Sequence, residues 1–182
     1  ILAGGKGTRL APYTRIFPKP MMPIGDKTIL EVLLTQLKYS GVNHVIITVG
    51  HMAGLMRAFF QNGDNYGLDI TYSVESQPLG TAGPLSLIEG LDETFFVSNG
   101  DVLTTLDFNK LMAFHKAQGD AIATIATHHR TVHIDLGVIE ADDDHTIVDY
   151  IEKPDIDYLV SMGIYFFSPE ILNYIPKGEY MY

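Results

Sequence analysis

Residues 2–10 read LAGGKGTRL: an apolar strand end runs straight into Gly4, Gly5 and Gly7, with Lys6 and Arg9 beside them. Glycines let a backbone approach a ligand closely, and successive exposed amides next to two cations make an anion cradle suited to a triphosphate. A P-loop would need Gly, four residues, then Gly-Lys-Ser/Thr, and no such string occurs; Leu10 stands where a dinucleotide fingerprint would need its third glycine. A ligand-free turn is the plain alternative, but a turn has no need of the cations. The second string, FPKPMMPIGDK at 17–27, holds Lys19 between Pro18 and Pro20. Stiff backbone on both sides would fix an ammonium group against a phosphate at low entropic cost, whereas the bland reading is a rigid surface linker with a solvated lysine. Third, Asn99-Gly100-Asp101 follows an apolar run and would deliver a carboxylate at the end of a central strand; alone, the string is an ordinary turn. His128, His129 and His133 lack a third-ligand pattern for a metal and read as a polar strand end or loop. Asp142–Asp144 lacks the spaced ligands of a calcium loop and reads as a solvated hairpin tip.

The elements that must position these groups follow from periodicity. Ile1–Ala3 reads as the end of a buried strand and Gly4–Pro23 as a long functional loop. Ile29, Leu30, Leu33, Leu34 and Leu37 recur at helical spacing, which predicts a helix over 28–39 capped by Thr28 and stopped by Gly41. A buried strand is predicted at 45–49, a helix at 52–60, a strand at 68–74, a short helix at 84–91, a strand at 94–98 and a helix at 106–118. Strands and helices alternate to this point, so the fold class expected is α/β: a doubly wound, mostly parallel, Rossmann-like sheet with helices on both faces. Strands then follow at 121–127, 136–140, 147–152 and 160–167, with a short helix opened by Pro169, which gives a mixed-sheet second half. No linker separates the halves, so 1–182 is expected to be one domain, with one half at about 1–119 and the other at about 120–182.

Charge narrows the partners. Lys plus Arg number 12 against 22 Asp plus Glu, a formal net charge of -10, which disfavours nucleic acid or an anionic membrane as partner. Any phosphate should therefore be bound locally. With 46% hydrophobic and 19% charged residues there is ample material for a core. The absence of cysteine removes disulfides and thiolate chemistry and leans towards a reducing compartment, with the cytoplasm as default. No apolar run approaches the roughly 18 residues that span a bilayer. An opening on Ile1 and an end at Tyr182 inside an aromatic run read as a fragment cut at both ends.

Taken in order, LAGGKGTRL, FPKPMMPI, PLGTAGPL at 78–85, NGD at 99–101, EKP at 152–154 and SMGIYFFSPEIL at 161–172 resemble the sugar-1-phosphate nucleotidylyltransferases, and PLGTAGPL is most similar to the GDP-mannose pyrophosphorylase branch. The resemblance implies condensation of an NTP with a sugar 1-phosphate to give a nucleotide sugar and pyrophosphate, with Mg²⁺ as cofactor and mannose-1-phosphate guanylyltransferase as the foremost activity. A glucose-1-phosphate thymidylyl- or uridylyltransferase, and a non-catalytic subunit that senses nucleotide sugars, are the alternatives. By the same resemblance Arg9 holds the leaving pyrophosphate, Lys19 bridges the α-phosphate and the sugar phosphate, and Asp101 binds the metal. Leu2, Ala3, Gly4, Gly5, Gly7 and Thr8 match the nucleotide side, with Gln77 and Gly80 near the base. Gly137, Glu152, Lys153, Ser161 and Gly163 match the sugar side. Met162 stands where the family more often has a small or hydroxylated residue, which leaves the sugar open. A second metal-binding aspartate is implied downstream of Tyr182, and homo-oligomerisation is left open.

Overall fold

The computed structural model describes residues 1–181. After the Gly-rich stretch, a small antiparallel pair, β1 (Pro23–Ile24) and β2 (Lys27–Thr28), leads into helix α1 (Ile29–Tyr39). Thr28 and Glu31 close a reciprocal capping box: the Glu31 amide donates to the Thr28 hydroxyl at 3.2 Å, and the Thr28 amide donates to Glu31 Oε2 at 2.7 Å. Leu30, Leu33, Leu34 and Leu37 are the buried face, as the spacing predicts. Glu31 also accepts from the Tyr66 hydroxyl, and burial together with that carboxylate pushes the phenol up to about 12. Thr28→Ala should therefore lower the unfolding free energy by about 1 kcal/mol, read by urea denaturation, because it orphans a helix amide.

The strands that follow are β3 (His44–Val49), β4 (Asp69–Val74) and β5 (Phe95–Ser98), with helix α2 (Ala53–Phe60) between the first two and α3 (Phe108–Ala117) after the third. β3 and β4 pair in parallel from His44↔Asp69 to Val49↔Val74. Leu2 bridges Thr48 on one side and Asn99 on the other, both in parallel. The bonds Ala3 N–H to Thr48 O (2.9 Å), Leu2 N–H to Ser98 O (2.8 Å) and Gly100 N–H to Leu2 O (2.8 Å) seat the opening residues between β3 and β5. The remaining strands are β6 (Ala123–His133), β7 (Val138–Ala141), β8 (Ile147–Ile151) and β9 (Asp155–Phe167). β9 runs antiparallel to β5 and lies between it and β6.

Alternation on β5 sorts the core. Val97 packs with Leu85 and Ile175, with Phe95, Tyr165 and Phe167 against them. Phe96 turns the other way, onto Phe108 of α3 and Phe166 of β9. Both faces of this sheet are thus covered, and the expected α/β fold is borne out. Buried His115 on α3 is satisfied by Thr124 at 2.8 Å and Ser168 at 3.3 Å.

The chain forms two compact units: Ile1–Ile125 together with the stretch from Gly163 onward, and Ala126–Met162. The second unit holds the β7–β8 hairpin and the outer arms of β6 and β9. Its tip is turned by Asp142, whose carboxylate accepts the amides of Asp144 (3.0 Å) and Thr146 (2.8 Å). Three elements differ from expectation. The predicted helix at 84–91 is only a 3-10 turn, Gly83–Leu87, because Ile88 is extended and Gly90 is left-handed. β6 and β9 run well past the predicted segments: the outer arm of β6 is exposed and has no apolar alternation, whereas that of β9 alternates Ile156, Tyr158, Val160 and Met162 with Asp155, Asp157 and Ser161, a signal whose first half the predicted bounds leave out.

Candidate active site

The opening residues end between β3 and β5, and the loop that follows gathers at the carboxyl end of these parallel strands, where open α/β sheets bind ligands. Gly7 is left-handed (φ 60°), and a methyl there would press on Thr14 Cγ2 at 2.8 Å and Lys19 Cβ at 3.4 Å. Buried Thr14 donates to the Gly7 carbonyl at 3.0 Å. The loop is thereby folded back on itself, and its next turn, Thr8–Leu10, carries Arg9.

Lys19 opens the turn Lys19–Met21, with Pro20 and Met21 buried beneath it and the Met21 amide bonded to Pro18 O at 2.9 Å. Gly100 explains why this turn can dock on the sheet. A methyl there would meet Pro20 Cγ at 3.1 Å and Ile1 Cγ2 at 3.3 Å. The docking brings the Lys19 ammonium into an ion pair with the Asp101 carboxylate, both side chains partly exposed. Asn99 is held by its amide bond to Gly163 O at 2.9 Å, and left-handed Gly163 (φ 69°) leaves room for the Asn99 side chain.

A cavity of about 600 Å³ opens at this point, entirely within the first unit. Leu2, Ala3, Gly4, Gly5 and Gly7 line it, with Arg9, Lys19, Gly80 and Asp101. Thr8 and Gln77 are exposed and are not among its lining residues. Gly163 supports the wall through Asn99, whereas Gly137, Glu152, Lys153 and Ser161 belong to the second unit.

Three lining groups, Glu75, Asn99 and Tyr180, have no part assigned from the sequence. Glu75, one residue past β4, packs so closely on Gly4 that a methyl there would collide with its carboxylate. It accepts the Leu79 amide at 3.2 Å; burial pushes its pKa up, and that hydrogen bond partly offsets the shift. Its only sequence signal is an acid immediately after an apolar strand. Asn99 lay within a recognised string but had no assigned part. Tyr180 comes from a distant segment whose neighbour, Met181, brackets the Pro78–Pro84 loop: Met181 N–H donates to Leu79 O at 2.9 Å and Ala82 N–H to Met181 O at 3.0 Å.

In the second unit, the Tyr150 hydroxyl donates to Glu152, and Lys153 adopts a left-handed conformation (φ 45°) at the turn before β9. His133 is bonded by Asp155 at 2.8 Å and Asp135 at 3.1 Å, and the bond to Asp155 leads in raising its pKa. Among the described residues, no group of three or more His, Cys, Asp or Glu side chains is placed to hold a metal.

Residues 1–181 match the family described as nucleotidyl transferase. The chain belongs to the nucleotidyl transferase family. Among the curated relatives, the UTP--glucose-1-phosphate uridylyltransferase of Synechocystis sp. is 38% identical, over 98% of this chain and 51% of that protein. The mannose-1-phosphate guanyltransferase of Neurospora crassa is 36% identical, over 95% of this chain and 50% of that protein. The chain thus spans about half the length of the curated relatives it matches. Among solved structures, HddC from Yersinia pseudotuberculosis complexed with GMP-PN superposes with a TM-score of 0.70 at 26% identity, covering 98% of this chain and 79% of that one. A putative glucose-1-phosphate thymidylyltransferase from Bacillus anthracis gives 0.73 at 25%, covering 95% and 72%. The resemblance carried by the six strings is therefore borne out at the level of the family. No helix among the described residues is long and apolar enough to cross a membrane.

Proposed function

We propose that this protein transfers a nucleotidyl group from an NTP to a sugar 1-phosphate and releases pyrophosphate. The observation that carries the reading is the Lys19–Asp101 pair set in the wall of a Gly-rich cavity that Arg9 also lines. In-line attack of a sugar phosphate oxygen on the α-phosphorus joins two polyanions, so the chain's task is to position them and to oppose charge. Lys19 meets the α-phosphate and the sugar phosphate, and Arg9 holds the departing pyrophosphate. The backbone at Leu2–Gly5 and Gly7, with Thr8 at the loop's turn, takes the nucleotide. Gly137, Glu152, Lys153, Ser161 and Gly163 serve the sugar 1-phosphate, with the carboxylate accepting from sugar hydroxyls and the lysine meeting phosphate.

Asp101 fits Mg²⁺: it offers hard carboxylate oxygens in the cavity wall, and such an ion is commonly shared between one or two carboxylates and substrate phosphates. When bound, the ion would screen phosphate charge. Asp101 would then exchange its ammonium partner for the metal, which releases Lys19 towards the phosphates.

For the base, we favour guanine, with mannose 1-phosphate as the sugar partner. The resemblance assigns Gln77 and Gly80 to the base, and the cavity wall carries Gly80 and, two residues before Gln77, Glu75. An ionised carboxylate only accepts hydrogen bonds, which matches the adjacent N1–H and N2–H donors of guanine; a uracil or thymine edge offers one N–H between two carbonyls. Relatives named as mannose-1-phosphate guanyltransferases agree with this choice. A uridylyl reading with glucose 1-phosphate has its own support in the Synechocystis relative.

Pyrophosphate release across a matrix of NTPs and of mannose, glucose and hexosamine 1-phosphates separates the two readings. GTP with mannose 1-phosphate should lead, and a clear lead for UTP or dTTP with glucose 1-phosphate would overturn the choice. Glu75→Gln should cut the kcat/KM ratio for GTP over UTP by about tenfold, the worth of one hydrogen bond to a charged group. The same change should raise thermal stability at neutral pH. Glu75 has a raised folded pKa, so its ionised form costs stability, and that cost fades as pH falls through the raised value. A variant that loses stability and keeps its base preference would show Glu75 to be structural.

A further inference from the structure

Gly137 is a glycine for a reason its backbone does not supply. It does not lie in the left-handed region, so any residue could adopt its conformation. What a side chain lacks there is space: a methyl would collide with the Tyr150 phenol, meeting its Cζ at 2.6 Å and its Cε2 at 2.8 Å. The pairing of the hairpin explains the approach. Val138 faces Ile151 and Ile139 faces Tyr150, which leaves Gly137 and Glu152 one residue beyond the paired ends of the strands. Tyr150 and Glu152 are two residues apart, so they share a face, and the phenol crosses diagonally to rest on Gly137. From there its hydroxyl donates to Glu152 Oε2. The resemblance assigns both Gly137 and Glu152 to the sugar side, whereas it gives Tyr150 no part.

We propose that Tyr150 is a positioning residue for sugar recognition: its hydroxyl fixes one oxygen of the Glu152 carboxylate, and Gly137 is the seat that the phenol requires. This rests on the proposed reading in which Glu152 accepts from sugar hydroxyls. A glutamate on an exposed hairpin has three rotatable side-chain bonds, and a donor on one oxygen restricts them before the substrate arrives. The second oxygen keeps its capacity for a hydroxyl donor. The bond also holds the Tyr150 phenol above its usual pKa, the direction expected for a proton shared with a carboxylate.

The test is steady-state kinetics of the wild type, Tyr150→Phe, Glu152→Gln and the double variant, with the phenol of each Tyr150-containing form titrated by ultraviolet difference absorbance. Tyr150→Phe should raise the KM for sugar 1-phosphate about three- to tenfold while kcat and the KM for NTP stay near wild type. In the Glu152→Gln background the same change should cost nothing further, because the group it positions has been altered. Glu152→Gln should also lower the phenol pKa, a readout that no packing role would move. Gly137→Ala, which displaces the ring and keeps its hydroxyl, should likewise lower the phenol pKa, a readout that a direct contact of Gly137 with the sugar would not move. If the wild type turns over a sugar 1-phosphate but Tyr150→Phe leaves its KM unchanged, or adds its full effect to Glu152→Gln, the proposal for Tyr150 is overturned and the transferase reading survives. Absence of turnover with every sugar 1-phosphate would remove the transferase reading and this inference with it.

Discussion

Lys19→Ala should lower kcat by about a hundred- to a thousandfold while nucleotide affinity changes only a few-fold. Loss of one preorganised donor to developing transition-state charge has costs of that order. The asymmetry follows from how the residue is held. Buried Pro20 and Met21, seated against Gly100, fix the turn from which the ammonium projects, so its position is set before substrate enters. A group so placed contributes most where charge redistributes, at the α-phosphorus, and less to the ground state. Lys19→Arg should restore little, since a planar fork on a longer stem cannot reproduce a point charge beside Asp101. Single-turnover rates and equilibrium titration on one preparation separate binding from chemistry, and equal losses in both would remove the assigned role.

Asp101→Asn is expected to abolish the dependence on divalent metal together with most of the rate, on the order of a hundredfold. Its effect on binding should have the opposite sign. With the carboxylate neutralised, Lys19 loses its ion-pair partner and is free for phosphate, so metal-free nucleotide should bind more tightly to the variant than to wild type. A purely structural Asp101 would give no such gain. Full wild-type activity in excess chelator would contradict the assignment.

Much of this site was legible in order of residues alone, because its parts are local. Lys19 between two prolines, Asp101 after an apolar run and the Gly-rich string each announce themselves within a dozen residues, and α1 is written in both its leucine spacing and its Thr28 cap. Glu75 and Tyr180 could not be read this way. Glu75 matters because β4 ends beside Gly4, and Tyr180 because Met181 returns to bracket the Pro78–Pro84 loop, so both depend on contacts distant in sequence. The outer arms of β6 and β9 were missed for other reasons. The arm of β6 has little burial and no alternation, so its extent is set by pairing; that of β9 alternates at Ile156, Tyr158, Val160 and Met162, but the interleaved Asp155 and Asp157 and the nearby Pro154 give it the look of a turn. Tyr150 combines both difficulties: its meaning lies in a diagonal contact with Gly137 across an exposed hairpin.

Nucleotidyl transfer is tested most directly by the fate of isotopic label in the NTP. With GTP labelled at the α-phosphate and mannose 1-phosphate present, the label should appear in a nucleotide sugar, while label at the γ-phosphate should leave as pyrophosphate. Both transfers should require the two substrates together and vanish in Lys19→Ala. Nucleotide that binds without forming any sugar product, across every NTP and sugar 1-phosphate tried, or γ-label released as inorganic phosphate, would contradict transfer and leave the cavity as a sensing or hydrolytic site.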